Sequence, residues 1–107
     1  MDTILDISKR IIAEEINISG LKLINILLFG SRARENFEKD SDWDFLVVVD
    51  KEIDRSTKWD IILKIKRRLA KLKIPNDIII NSKNQIQERK NNVGYVTYYA
   101  LKEGKNI

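Results

Sequence analysis

Two aspartates, Asp42 and Asp44, stand one residue apart at the start of an apolar run that reads WDFLVVV. Because successive side chains of a β-strand point to opposite faces, these two carboxylates lie on one face, about 7 Å apart along the chain. Two unpaired carboxylates repel each other and are costly to desolvate unless a cation lies between them. Mg2+ prefers carboxylate oxygens together with substrate phosphates. The pair therefore predicts a magnesium site, although many Asp-x-Asp sequences are only strand ends with solvated charges.

A Gly-Ser turn, Gly30-Ser31, follows an earlier apolar run and is itself followed by Arg32 and Arg34. A small-residue turn that leads into a helix exposes backbone N–H groups and a hydroxyl, which suit phosphate oxygens. The two arginines can add charge-assisted hydrogen bonds. Each feature alone is commonplace, as a simple turn or a wet basic surface. Their order, between two apolar strands and ahead of the aspartate pair, favours a phosphate-binding site.

These residues resemble the signature of the minimal nucleotidyltransferases, the MNT-type domains of the superfamily that contains DNA polymerase beta and kanamycin nucleotidyltransferase. The family pattern runs Gly-Ser-x-Ala-Arg-Gly, a variable stretch, then Ser-Asp-x-Asp and a hydrophobic residue. In this sequence the pattern appears as GSRARE at residues 30–35 and SDWDF at residues 41–45. Glu35 departs from it, because the family usually has glycine there. This substitution puts a further carboxylate next to the phosphate turn in the sequence and is expected to weaken nucleotide binding.

The resemblance implies an enzyme that transfers a nucleoside monophosphate from a nucleoside triphosphate, with ATP expected, to a hydroxyl acceptor. It implies that three carboxylates are catalytic and bind one or two Mg2+ ions. Asp42 and Asp44 are two of them, and Asp77 in the apolar segment NDIII is the candidate for the third. Asp77 would complete the second metal site or accept the proton of the acceptor hydroxyl. The expected nucleotide-binding residues are those of the turn: Gly30, Ser31, Arg32 and Arg34.

The resemblance also implies a protein partner. Many small members of the family accompany a helical HEPN protein, and some act as antitoxins that nucleotidylate it, typically adenylylating a tyrosine. The chain is therefore expected to be an MNT-type antitoxin in complex with a HEPN-type toxin. Two alternatives stay open. One is an antitoxin that binds its partner without catalysis, which Glu35 keeps open. The other is a free-standing transferase that modifies a small molecule such as an aminoglycoside antibiotic.

Length and composition agree with a single folded domain over residues 1–107, since 43% of the residues are hydrophobic. The sequence has no cysteine and no histidine, which excludes disulfides, thiolate metal sites and imidazole catalysis. No apolar stretch is long enough to cross a bilayer. Acidic residues stand near the N-terminus where a signal peptide carries positive charge, so a cytoplasmic protein is expected.

The net charge of +4 is mild, and six basic residues crowd one segment. They are Lys64, Lys66, Arg67, Arg68, Lys71 and Lys73. We expect them to form the solvated face of an amphipathic helix rather than a nucleic-acid surface. The chain also has no room for template-holding domains, so no direct nucleic-acid substrate is expected. A homo-oligomer is left open.

Hydrophobic periodicity predicts the elements that position these residues. Strands are expected at residues 23–29, 42–50 and 76–80, and helices at residues 3–18, 31–37, 56–72, 82–89 and 93–102. This order predicts an α/β fold, a small mixed β-sheet with helices packed mainly on one face.

Three finer predictions concern caps and burial. The expected helix N-caps are Asp2 or Thr3, Ser56, and Ser82 or Asn84. In the second strand, one face is expected to carry Asp42, Asp44, Leu46 and Val48, and the opposite face Trp43, Phe45, Val47 and Val49. The inward residues expected on the long helix are Trp59, Ile62, Ile65, Leu69 and Leu72, and those of the last helix are Val96, Tyr99, Ala100 and Leu101.

Overall fold

The structure is a computed structural model and describes residues 3–107. Its strands form one sheet in the order β3-β2-β1-β4. β2 runs antiparallel to β1 and parallel to β3, so the sheet is mixed, and the predicted α/β fold class is confirmed. The elements in chain order are α1 (Ile4–Ile18), β1 (Leu23–Phe29), α2 (Gly30–Arg34), β2 (Trp43–Val49), α3 (Arg55–Lys71), β3 (Asn76–Ser82), α4 (Lys83–Arg89), α5 (Val96–Glu103) and β4 (Lys105–Asn106).

Local hydrogen bonds fix where the two long helices begin. Thr3 caps α1, because its hydroxyl accepts from the Asp6 backbone N–H at 3.0 Å. The alternative cap, Asp2, lies outside the described residues. The predicted cap of α3 is wrong: Asp54, not Ser56, accepts a backbone N–H of the first turn at 3.2 Å. Aspartate is as good a cap as serine, and Asp54 lies two residues before the predicted cap.

The two faces of the sheet are covered differently. α1 and α3 pack on one face, where side chains from both helices and three strands form the larger hydrophobic cluster. α4 and α5 pack on the other face over a smaller cluster. The predicted alternation of β2 is confirmed, because Phe45 and Val47 belong to the larger cluster and Leu46 and Val48 to the smaller one.

The predicted inward face of α3 is correct at its centre and wrong at both ends. Ile62, Ile65 and Leu69 are buried as expected, and Ile61 is buried with them. Trp59 is 57% exposed, since it lies about 100° around the helix from the middle of the buried stripe. Leu72 is 54% exposed, because it follows the last helical residue.

The C-terminal segment also differs from the prediction. α5 begins at Val96, and Thr97 and Ala100 are its buried residues, whereas Val96 and Tyr99 are half exposed. The helix therefore presents a narrower apolar face than expected. After it, β4 adds a two-residue edge strand that pairs with β1, which no sequence pattern had indicated. No helix within residues 3–107 is long and apolar enough to span a membrane.

Candidate active site

Asp44 lies at the centre of the candidate site because of its position in the sheet. It pairs in register with Phe29 of β1 and with Asp77 of the parallel strand β3. Neighbouring strands lie about 4.8 Å apart and paired residues share a face, so the two aspartates are side by side. They lie on the face of the smaller cluster, as Leu46 does two residues further on. Asp42 is exposed just before β2 begins.

The negative charges of these three carboxylates are not fully compensated by the positive charges near them. The pKa of Asp44 is raised from 3.8 to about 6, first by burial and then by the negative charges of Asp77 and Asp42. Arg34 and Lys66 act in the opposite direction and do not cancel the rise. Within residues 3–107 no three such side chains lie close enough to form a ready-made metal cluster. The arrangement is an acidic, oxygen-rich patch that a divalent cation would stabilise.

The glycine of the turn is in direct contact with this patch. Gly30 has a φ of +73°, and a Cβ atom at this position would overlap the carboxylate of Asp44. Only glycine therefore allows the β1–α2 turn to approach so closely. Ser31 is half-buried in the first turn of α2. The structure thus brings the predicted phosphate turn against Asp44, one of the three predicted metal-binding aspartates.

Arg34 also lies near the patch. Its Nη1 donates to Glu103 Oε1 of α5 at 2.9 Å, and its positive charge lowers the pKa of Asp44. A guanidinium in this position can bind a phosphate oxygen after a small change of rotamer.

Glu35 ends α2 in a left-handed conformation, with a φ of 64°. This conformation costs an L-residue about 1 kcal/mol or more and costs glycine nothing sterically, which explains the glycine of the family pattern. The Glu35 carboxylate is mostly exposed and lies 3.7 Å from Lys105 Nζ of β4. Its nearest ionic partner is therefore in the C-terminal strand rather than in the phosphate turn.

Arg32 is oriented differently from Arg34. Its Nε and Nη2 donate to the backbone carbonyl of Ser41 at 3.3 and 3.1 Å, and Nη2 also donates to that of Lys39 at 3.1 Å. The guanidinium carbon lies 4.3 Å from the ring centroid of Phe37 and 4.4 Å from that of Trp43. These hydrogen bonds of Arg32 all go to the loop that precedes β2, and its two ring contacts are with that loop and with the first residue of β2.

Lys66 of α3 was predicted only as one of the basic residues on the solvated face of this helix. The structure places it at the site. Its Nζ donates to the backbone carbonyl of Asn76 at 2.9 Å and lies 3.9 Å from Asp77 Oδ1. The short connection between α3 and β3 could have indicated that Lys66 lies near Asp77. That connection brings the last turns of the helix next to the first residues of the strand.

Comparison with known proteins gives a family for the chain. The family model described as Polymerase beta, Nucleotidyltransferase matches residues 8–107. The match therefore includes the turn, the aspartate pair and β3. Comparison with curated proteins finds no match.

Solved structures share the fold. A toxin-antitoxin structure with AMP-PNP is 20% identical, with a TM-score of 0.57, over 92% of this chain and 70% of that chain. A mutant of the toxin-antitoxin MntA-HpeT, with two aspartates one residue apart changed to glutamate, is 19% identical, with a TM-score of 0.55 and the same coverage. A protein from Shewanella oneidensis is 16% identical, with a TM-score of 0.52, over 94% of this chain and 68% of that chain.

Proposed function

The chain belongs to the polymerase beta nucleotidyltransferase family, and from this membership we propose which reaction this nucleotidyltransferase performs. It transfers a nucleoside monophosphate, AMP from ATP, to a tyrosine hydroxyl of a helical HEPN-type toxin and so acts as its antitoxin. The observation that carries the proposal is the contact between the Gly30 turn and the Asp44 carboxylate, with Asp77 in register beside it. The toxin-antitoxin structures of similar fold, one of them with AMP-PNP, support the choice of partner and nucleotide.

Asp42, Asp44 and Asp77 are the proposed catalytic residues and the ligands of one or two Mg2+ ions. Members of this family generally use a divalent metal. The donors fit such an ion, since they are carboxylate oxygens, and burial followed by their mutual repulsion raises the pKa of Asp44. A bound Mg2+ supplies positive charge to the triphosphate and to the leaving pyrophosphate. The two aspartates replaced in the MntA-HpeT mutant have the same spacing as Asp42 and Asp44, which also supports this choice.

The turn binds the phosphates in this proposal. The backbone N–H groups at Gly30 and Ser31 and the Ser31 hydroxyl donate to the terminal phosphate oxygens, which fixes the α-phosphate for attack. Arg34 adds a charge-assisted hydrogen bond once it turns from Glu103 towards the nucleotide. Arg32 lies in the same turn, and its guanidinium bonds with the following loop instead.

Asp77 is the proposed acceptor of the proton from the attacking hydroxyl. Its side chain is 61% exposed, so the hydroxyl of another protein can reach it. Lys66 Nζ lies 3.9 Å from Asp77 Oδ1 and places a positive charge beside this carboxylate. Transfer then needs little more than positioning and neutralised charge, which these few groups supply.

The position of Glu35 supports catalysis over binding alone. A non-catalytic antitoxin was kept open because Glu35 stands where the family has glycine. Its carboxylate is mostly exposed and lies 3.7 Å from Lys105 Nζ, so its ionic partner is in β4 and not in the phosphate turn.

The proposal is tested by incubating the purified chain with Mg2+ and each α-labelled nucleoside triphosphate. Each reaction is run with and without the product of any neighbouring gene that encodes a helical HEPN-type protein. We expect label from ATP on a tyrosine of the partner, lost with Asp44→Asn and kept with Asp60→Asn, an exposed aspartate of α3. A stable complex that takes no label from any triphosphate would contradict transfer and leave a binding antitoxin.

A further inference from the structure

The loop between α2 and β2 carries Asp42 and is held by few groups. It makes one tight turn, in which Ser41 N–H donates to the Glu38 carbonyl at 3.1 Å and Ser41 Oγ accepts from Glu38 N–H at 2.9 Å. Residues 35–40 of this loop are exposed. Asp42 follows directly on Ser41, so the position of its carboxylate depends on how this turn is anchored to the rest of the protein.

Arg32 provides such an anchor at both ends of the loop. Its guanidinium donates two hydrogen bonds to the Ser41 carbonyl, one residue before Asp42. A third hydrogen bond, to the Lys39 carbonyl, holds the middle of the turn. The same guanidinium stacks on Phe37 at the start of the loop and on Trp43 at the start of β2. One side chain therefore joins α2 to the whole loop.

We infer that Arg32 is a positioning residue, which holds the loop so that the Asp42 carboxylate faces the metal site, and that it does not bind the nucleotide. This inference rests on the proposed function and assigns Arg32 a different role from its neighbour Arg34. Its Nε and Nη2 donate to backbone carbonyls, and two aromatic rings lie within 4.4 Å of its guanidinium carbon. A bidentate phosphate contact uses Nη2 together with Nε or Nη1, so it would break hydrogen bonds that hold the loop.

The geometry requires arginine in particular. A guanidinium is planar, donates in several directions at once and stacks on aromatic rings. A lysine ammonium at the same position can reach one carbonyl but cannot bond two carbonyls while it also contacts two rings. Arg32→Lys is therefore expected to retain part of the function, and Arg32→Met to retain less.

The two arginines give opposite kinetic expectations in the labelling reaction. With Arg32→Met we expect kcat to fall roughly 10- to 100-fold, because a displaced carboxylate no longer meets the reacting groups. The Mg2+ concentration for half-maximal rate should rise several-fold, while the KM for ATP stays near that of the unaltered chain. With Arg34→Met we expect the KM for ATP to rise and the Mg2+ dependence to stay unchanged.

A measurement of the loop itself does not depend on activity. Amide hydrogen exchange of the full chain is followed for residues 37–43, with Arg32→Met, Arg32→Lys and Arg34→Met compared with the unaltered chain. We expect Arg32→Met to speed exchange at the Ser41 amide by roughly tenfold, Arg32→Lys to have an intermediate effect and Arg34→Met to have none. Exchange in the strands serves as the control for an intact fold.

The outcomes separate this inference from the proposed function. Unchanged exchange in the loop of Arg32→Met, or a rise in its KM for ATP equal to that of Arg34→Met, would overturn the positioning role. If the unaltered chain transfers no label at all, the proposed function fails. Faster loop exchange in Arg32→Met would then still establish that Arg32 holds the segment of Asp42. If Arg32→Met does not fold, the same comparisons are decided with Arg32→Lys.

Discussion

The two faces of the sheet differ in both packing and charge. The face under α1 and α3 has the larger apolar cluster, in which Phe45, Ile65 and Leu69 are fully buried, and α1 also buries the polar residue Ser8. The face under α4 and α5 has a smaller cluster, and a buried polar pair lies beside it: Thr97 Oγ1 donates to Asn81 Oδ1 at 2.6 Å. Asp44 and Asp77 share this second face.

This difference shows how a small chain accommodates an unfavourable site. Partial burial of an ionised carboxylate beside two others destabilises the fold. The raised pKa of Asp44 reflects this destabilisation. The thickly packed face supplies the stability that offsets it. We therefore expect substitutions on one face to change stability and substitutions at the site to change chemistry, with little overlap.

The largest effect is expected from Asp44→Asn on transfer. Removal of the central carboxylate should lower the rate of label transfer at least 1000-fold, about 4 kcal/mol in activation free energy. The circular dichroism spectrum should stay that of the unaltered chain, since the two side chains are isosteric. Retention of more than a tenth of the rate would contradict the central role of Asp44.

A substitution on the other face should have the reverse consequence. Ile65 is fully buried between α3 and the sheet, and Ile65→Ala leaves a cavity there. We expect a loss of about 3 kcal/mol in unfolding free energy, measured by urea titration. Below the unfolding transition, the transfer rate per folded molecule should be unchanged. A large loss of rate would show that the two faces are coupled.

Gly30→Ala should affect both properties at once. The added methyl group is strained at a φ of +73° and overlaps the Asp44 carboxylate, so we expect a loss of about 2 kcal/mol in stability and most of the activity. Gly20→Ala is the matched control, because Gly20 has a φ of +78° and nothing within 4 Å of the added group. It should lose only about 1 kcal/mol and keep its activity. Equal effects of the two substitutions would indicate backbone strain alone.

The charge of Asp44 should be visible in stability without Mg2+. The pKa of Asp44 is raised in the folded state, so the carboxylate ionises more readily in the unfolded chain. Its contribution therefore lowers the free energy of unfolding as pH rises from 3.8 to about 6, and the loss persists at higher pH. Asp44→Asn should therefore be more stable than the unaltered chain at pH 7.5, by about 1 kcal/mol after allowance for solvent screening, and equally stable near pH 3.5. Thermal unfolding at both pH values measures this, and a less stable variant at pH 7.5 would refute it.

The smallest expected effect comes from Glu35→Gly. Relief of the left-handed conformation outweighs the added freedom of the unfolded chain, so we expect a gain of about 0.5 kcal/mol. Glu35→Ala also removes the Lys105 ion pair but keeps the strain, and should give no gain. Both variants should keep the transfer rate. An increase in rate with both would mean that the Glu35 carboxylate hinders the nucleotide after all.

The sequence predicted the strands of the site well because their signals are local. The apolar alternation of β2 sets which side chains share a face, and it also assigns Asp44 to the face of Leu46. The turn and the aspartate pair form a pattern of fixed spacing, which the family match includes. The chemical roles of these residues stay predictions until they are measured.

Other features depend on contacts that no local pattern encodes. The orientation of Arg32 is decided by two rings and two carbonyls that come together only in the folded loop. Lys66 of α3 lies near Asp77 of β3, a contact between two different elements. β4 consists of two polar residues and owes its strand conformation to the exposed edge of β1. The contacts of long side chains and the presence of short edge strands therefore could not be predicted from the sequence.

The most direct test of the central claim is binding of a triphosphate that cannot be hydrolysed. Isothermal titration with AMP-PNP is run with Mg2+ and with EDTA, for the unaltered chain, Asp44→Asn and Asp60→Asn. We expect the unaltered chain and Asp60→Asn to bind AMP-PNP only with Mg2+. We expect binding to Asp44→Asn to be about tenfold weaker or more, because the carboxylates bind the metal that the phosphates share. Binding of equal strength in EDTA or by Asp44→Asn, or no binding at all, would contradict it.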